Sequence, residues 1–148
     1  DYLIGYGVGC GTYPARQRDT SAIVKLVRNG DGVRATVELA ASDLGTGTHT
    51  ILAQTAAEVL NLPLNKIGVK IGDSSLPPAA GSVGSVGAAS FANAVFEVCA
   101  KCVGELQAKS GRQYFAEPPV EELMKAANLT EYQTRVDAKP PQNANDYS

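Results

Sequence analysis

Two short stretches, Gly45-Thr46-Gly47-Thr48 and Gly81-Ser82-Val83-Gly84-Ser85-Val86-Gly87, place glycine and hydroxyl-bearing residues directly ahead of helical patterns. The first N–H groups of a helix have no carbonyl behind them and together carry about half a positive charge, so a helix start attracts anions. Glycine lets a ligand approach the backbone, and threonine and serine hydroxyls add donors. One such loop by itself reads more simply as a connection with a Thr or Ser N-cap. Two in one domain point to a phosphate-bearing ligand held by both.

Neither loop is a dinucleotide fingerprint or a P-loop. Counting from Gly45, the sixth position is Thr50 instead of glycine, and no glycine precedes a Lys-Ser/Thr pair. His49 is the only histidine, so a two-histidine metal motif is excluded, and a helix-start residue packed on its loop is the expected role. Cys99 and Cys102 have C-x-x-C spacing, but both sulfurs fall on the apolar stripe of a helix and read as buried small hydrophobes. Asp43 and Asp73 flank the two loops and either could position donors; nothing further supports paired-carboxylate hydrolysis. No residue is assigned as catalytic or as a metal ligand. Gly5, Gly7, Gly9 and Gly11 alternate, which reads as a bulged strand with one bare face, the alternative being close approach of a backbone or cofactor.

The elements that must position these loops follow from periodicity. "AIVKLV" (22–27) and "VRATVEL" (33–39) alternate around "RNGDG", a β-hairpin pattern. From Thr48 the period becomes helical, with Ile51, Leu52, Thr55, Ala56, Val59 and Leu60 on one stripe that ends before Pro63. "KIGVKIG" (66–72) returns to alternation. After a Pro- and Gly-rich loop (73–87), Phe91, Ala94, Val95, Val98, Cys99, Cys102, Val103 and Leu106 form the cleanest helical stripe and predict the longest helix. The β-β-α-β-α order predicts an α+β fold, a small mixed β-sheet with helices packed on one face. "EPPVEELMKAANL" predicts a short further helix, and "DAKPPQNANDYS" a linker or severed connection.

Composition narrows the classes. With 44% hydrophobic and 19% charged residues the chain is an ordinary globular protein, and a net charge of -2 leaves no basic surplus for nucleic acid. No apolar run reaches the roughly 20 residues of a membrane helix, and no signal-peptide pattern opens the chain. Three cysteines without a framework favour a reducing compartment, the cytoplasm. The chain begins at Asp1, has one methionine and stops at "NANDYS" without completing an element, which suggests a piece of a larger protein.

"DLGTGTHTILAQTAAEVLNLPLNKIGVKIGDSSLPPAAGSVGSVGAASFANAV" (43–95) resembles the second molybdenum-cofactor-binding region in the large subunit of molybdenum hydroxylases, the xanthine dehydrogenase and aldehyde oxidase family. "GYGVGCGTYPA" and the hairpin also resemble that subunit. The likeness covers 1–109, part of a molybdopterin-binding domain, and fades over 110–148, a helical and linker extension. By that resemblance Gly45, Thr46, Gly47 and Thr48, with Ser82, Val83, Gly84, Ser85, Val86 and Gly87, would hold molybdopterin in its cytosine dinucleotide form. Many relatives have glutamine where Thr46 stands; the Gly-Thr-Gly form leans toward aldehydes over purines.

The resemblance implies an oxidoreductase that hydroxylates an aldehyde or heteroaromatic C–H with water. Electrons would pass to iron–sulfur clusters and FAD on partner regions or subunits, and the rest of the molybdopterin-binding subunit would be a partner. The family's catalytic glutamate is not found in this sequence, so the isolated chain is expected to be inactive. For the full enzyme the periplasm is the alternative location. A stand-alone structural or interaction module of the same fold, and an independent nucleotide-binding module, are the rival readings.

Overall fold

The computed structural model describes residues 2–11, 13, 16–111 and 118–140. Strands β1 (Thr20–Asn29) and β2 (Gly32–Glu38) form the expected hairpin, in antiparallel register with Val24 opposite Val37 and Leu26 opposite Ala35. Asn29 pairs with Gly32, which leaves Gly30 and Asp31 as a two-residue turn. Gly32 closes it at φ +99, a conformation a Cβ would oppose.

Helix α1 (Thr48–Leu60) follows, then β3 (Ile67–Lys70) after a single 3₁₀ turn, then α2 (Gly87–Ser110), the longest helix among the described residues. Helix α3 (Val120–Ala126) and strand β4 (Glu131–Ala138) complete the unit. The sheet order is β3-β2-β1-β4, with β3 parallel to β2 and the other pairs antiparallel. This is the α+β fold with a small mixed sheet that periodicity predicts.

Alternation sorts the sheet residues onto two faces. Ala22, Val24 and Leu26 of β1 and Val33, Ala35 and Val37 of β2 are buried against the helices, where Leu52, Ala56 and Leu60 of α1 meet Phe91, Val95, Val98, Cys99, Cys102 and Leu106 of α2. The other face is largely polar, with Ile23 and Val27 its apolar members on β1. There Glu38, only 3% exposed, is held between Lys25 Nζ at 2.7 Å and Lys70 Nζ at 3.2 Å. Burial pushes its carboxyl up, but the hydrogen bonds and charges of the two lysines outweigh that and leave it below the ordinary carboxylate value.

Two expectations change. β4 lies inside 110–148, the segment set apart as a helical and linker extension, and it pairs with β1 from Thr20–Ala138 to Val27–Glu131. Asp137 and Ala138, read as the start of the linker, belong to this strand, while 141–148 lie outside the described residues. Residues 2–11 form no strand and are exposed throughout. Strand preference is largely packing of side chains on a pleated surface, and four glycines bring none.

A candidate cofactor-binding concavity

The chain beyond β2 is fastened on both sides before it reaches the first loop. Leu39 N–H donates to the Lys70 carbonyl at 3.2 Å, Ala40 N–H to Pro77 at 2.7 Å, and Gly72 N–H to Ala41 at 2.8 Å. The Pro-rich loop is fastened in turn by Ser21 N–H on the Pro78 carbonyl at 2.8 Å and Ala80 N–H on Thr20 Oγ1 at 3.2 Å. This brings the two glycine-rich loops side by side. They meet on one carbonyl, that of Ser42, which accepts from the Ser82 hydroxyl at 2.8 Å and, at a long 3.5 Å, from the Thr48 hydroxyl.

Both helix starts lack a cap from the residue that precedes them, contrary to the Thr or Ser N-cap reading. Gly47, at φ +78, is the N-cap of α1 and has no side chain to offer; Thr48 is already the first helical residue. Val86 precedes α2, and Ser85 stands one position too early, at φ +56 directly after Gly84 at φ +53. No acidic residue occupies the first turn of either helix. At α1 the carboxylate of Asp43, five residues before the helix, accepts from His49 N–H at 3.3 Å, so only the α2 start is left without a local carboxylate.

Between these starts lies a concavity of about 340 Å³. Of the residues singled out in the sequence, Thr46, Thr48, Ser82, Val83, Gly84, Ser85 and Gly87 line it. Gly45, Gly47 and Val86 do not: the glycines shape the first loop at φ +88 and +78, and Val86 is buried. Leu44, Ala88 and Phe91 complete the wall. Leu44 and Val83 are 68% and 59% exposed and give the concavity an apolar rim. The Phe91 ring leaves little room at Gly87, where a Cβ would lie 3.1 Å from Cε2.

Hydroxyl directions divide the concavity. Ser82 spends its proton on the Ser42 carbonyl, and Thr46 Oγ1 lies 3.3 Å from Thr48 Oγ1. Ser82 thus presents an acceptor to the concavity, while between Thr46 and Thr48 either hydroxyl can be the donor. Donors come from the start of α2. No carboxylate lines the wall. A group combining N–H edges with phosphate oxygens matches this set, so the residues present fit a phosphate-bearing heterocycle such as molybdopterin.

The remaining candidates fall elsewhere. His49 does not line the concavity; its ring Nδ1 faces Asp43 Oδ2 at 3.4 Å. Asp73 turns on Ser75, accepting from its N–H at 2.8 Å and its hydroxyl at 2.7 Å, and these bonds hold its carboxyl below the usual value. Cys99 and Cys102 are fully buried, and burial pushes both thiols up, Cys102 to about 12 with help from the Glu105 charge. Among the described residues no group of three or more His, Cys, Asp or Glu is placed to hold a metal ion. A wider cleft of about 690 Å³ sits at the far end of α1, beside Gln54, Glu58 and Asn61, where helix carbonyls and a carboxylate repel anions.

Sequence reasoning missed Ser42, Leu44, Phe91 and Tyr13, whose hydroxyl lies over Gly84, 3.5 Å from where a Cβ would stand. Phe91 carries a signal, its place at the start of the α2 stripe. Ser42 carries none, because it acts through its carbonyl.

Residues 1–141 match the molybdopterin cofactor-binding domain. The chain is 44% identical over 101 residues, 68% of its length, to the aldehyde oxidoreductase molybdenum-binding subunit PaoC of Escherichia coli strain K12, and spans 13% of the length of that relative. The fold recurs in CO dehydrogenase from Oligotropha carboxidovorans, with TM-score 0.68 at 20% identity over 84% of this chain and 18% of that one. It recurs also in the aldehyde oxidoreductase from Desulfovibrio desulfuricans ATCC 27774, with TM-score 0.53 at 23% identity over 85% and 14%. With nearly its whole length accounted for by one family description, the chain belongs to the molybdopterin cofactor-binding domains.

Proposed function

We propose that this chain is the cofactor-facing part of the molybdenum-binding subunit of an aldehyde-oxidising enzyme. The observation that carries the proposal is the concavity itself, which the uncapped start of α2 shares with the hydroxyl-bearing residues Thr46, Thr48, Ser82 and Ser85. The likeness to an aldehyde oxidoreductase subunit supports the choice of substrate class, and the Gly45-Thr46-Gly47 sequence leans toward aldehydes over purines.

In this reading the α2 start and the backbone of 84–87 would hold phosphate oxygens of a cytosine dinucleotide form, while Thr46 and Ser82 would accept from the N–H edge of the pterin. Bound there, the cofactor supplies a molybdenum centre for hydroxylation of the substrate with water. Electrons from that reaction would go to iron–sulfur clusters and FAD on partner regions or subunits. The residues of this chain bind, orient and exclude water. Leu44 and Val83 form the apolar rim that a facing half of the subunit covers. The whole enzyme is assigned to the cytoplasm, with the periplasm as the alternative.

The isolated chain binds the cofactor weakly and does not turn over. Half a cradle leaves the far side of the ligand in water, where each hydrogen bond nets only about 0.5–1.5 kcal/mol against an association cost of several kcal/mol. The test compares the full-length subunit with this chain, each supplied with released cofactor and an artificial electron acceptor. Aldehyde oxidation by the full-length enzyme, exceeding that of purines and absent from the chain alone, is expected. Turnover by the isolated chain, or no aldehyde oxidation by the loaded full-length enzyme, contradicts the reading.

A further inference from the structure

Asp43 does not line the concavity, yet the first loop is organised on its carboxylate. Oδ1 accepts from Gly45 N–H at 2.9 Å and Thr46 N–H at 3.1 Å. Oδ2 accepts from His49 N–H at 3.3 Å and faces the His49 ring at 3.4 Å. Asp43 therefore satisfies the helix-start donor that Gly47, lacking a side chain, leaves open. Its side chain is 21% exposed, and the residues that donate to it, Gly45, Thr46 and His49, lie at the surface.

The loop has a physical need for such a fixture. Gly45 and Gly47 both sit at positive φ, and nothing lies within 4 Å of where their Cβ atoms would be, so neither sterics nor packing holds them. Glycine has the most backbone freedom to lose, and a loop containing two in three residues keeps one shape only if bonds from outside it impose that shape. Asp43 is itself anchored. It follows Ala40 and Ala41, which are bonded to Pro77 and Gly72, and Ser42, whose carbonyl receives Ser82 from the second loop.

We propose that Asp43 is a positioning residue of the cofactor site, fixing the 45–48 loop so that Thr46 and Thr48 stay on the concavity shared with Ser82. This rests on the proposed function, because it assigns a role at the same site. Asp43 touches no reacting atom; it sets where the first loop presents its two hydroxyls.

The full-length molybdenum-binding subunit tests it in three forms: wild type, Asp43→Ala and Asp43→Asn. Two quantities are measured, amide hydrogen exchange in peptides covering 43–50, 51–60 and 87–106, and the pterin released per protein. In Asp43→Ala, exchange in 43–50 should accelerate by about tenfold or more, the loss of hydrogen bonds to a charged acceptor, while 51–60 and 87–106 stay protected. Pterin content should fall several-fold with it. Asp43→Asn keeps one acceptor for Gly45 and Thr46 but turns an amide toward His49 N–H, so its exchange and pterin content should lie between the other two. Unchanged exchange in 43–50, equal loss of protection in all three peptides, or full pterin content despite a loosened loop would each overturn the proposal. A wild-type subunit that purifies without pterin contradicts the proposed function instead, and exchange in 43–50 then decides by itself whether Asp43 fixes the loop.

Discussion

The Tyr132 hydroxyl donates to Glu105 Oε2 at 2.7 Å, joining β4 to the second half of α2. Burial, then the bond to the Glu105 carboxylate, pushes the Tyr132 phenol up to about 12, while the same bond holds Glu105 below the ordinary value. A raised phenol stabilises the fold fully below the unfolded tyrosine value of about 10, and that contribution is lost as pH rises from there through about 12. Absorbance titration at 295 nm should show one late phase that Tyr132→Phe removes. Because Glu105 keeps 36% of its side chain in water, the substitution should cost no more than about 1 kcal/mol in denaturant unfolding at neutral pH.

Of the three thiols, Cys10 is exposed whereas Cys99 and Cys102 are buried. Only a thiolate reacts readily, and burial disfavours it at both helix positions. A disulfide reagent at pH 8 should modify one thiol promptly and the other two only after unfolding. Prompt modification of all three would place the α2 stripe in solvent.

Val98 of α2 is fully buried in the core cluster that also holds Cys99, Cys102 and the inward residues of β1 and β2. Val98→Ala should lower unfolding free energy by about 1–3 kcal/mol through lost burial and a residual cavity, read as a lower denaturant midpoint with unchanged slope.

Backbone strain and site chemistry can be separated at the two loops. Gly47→Ala meets no steric obstacle but must adopt φ +78, and should cost about 1–2 kcal/mol of stability. Ser85→Gly relieves a non-glycine residue at φ +56 and should gain about 0.5–1 kcal/mol, yet it removes a hydroxyl from the concavity. Thermal unfolding should therefore move in opposite directions for the two variants, while pterin content of the full-length subunit falls in both.

Much of this was legible in the residues because the relevant forces are periodic. The α2 stripe and the β1–β2 alternation each declare one apolar face, and the structure buries those faces. β4 also alternates, with Tyr132, Thr134, Val136 and Ala138 turned inward, but its inward residues include a threonine and a small alanine and its outward ones are Glu131, Gln133, Arg135 and Asp137. Its identity as a strand depends on β1 standing beside it, which no local pattern encodes. The glycine-rich loops were visible by composition, whereas their junction on the Ser42 carbonyl was not, since any residue supplies a carbonyl. The direction of the Ser82 proton follows from that junction and was equally hidden.

The central claim, that both loops hold one molybdopterin cofactor, is tested most directly by a crystal structure of the full-length subunit purified with its cofactor. Pterin or pyrophosphate atoms should lie within hydrogen-bonding distance of Thr46 or Ser82 on one side and of the 84–88 backbone on the other. A cofactor bound in the same protein with neither loop in contact would contradict it.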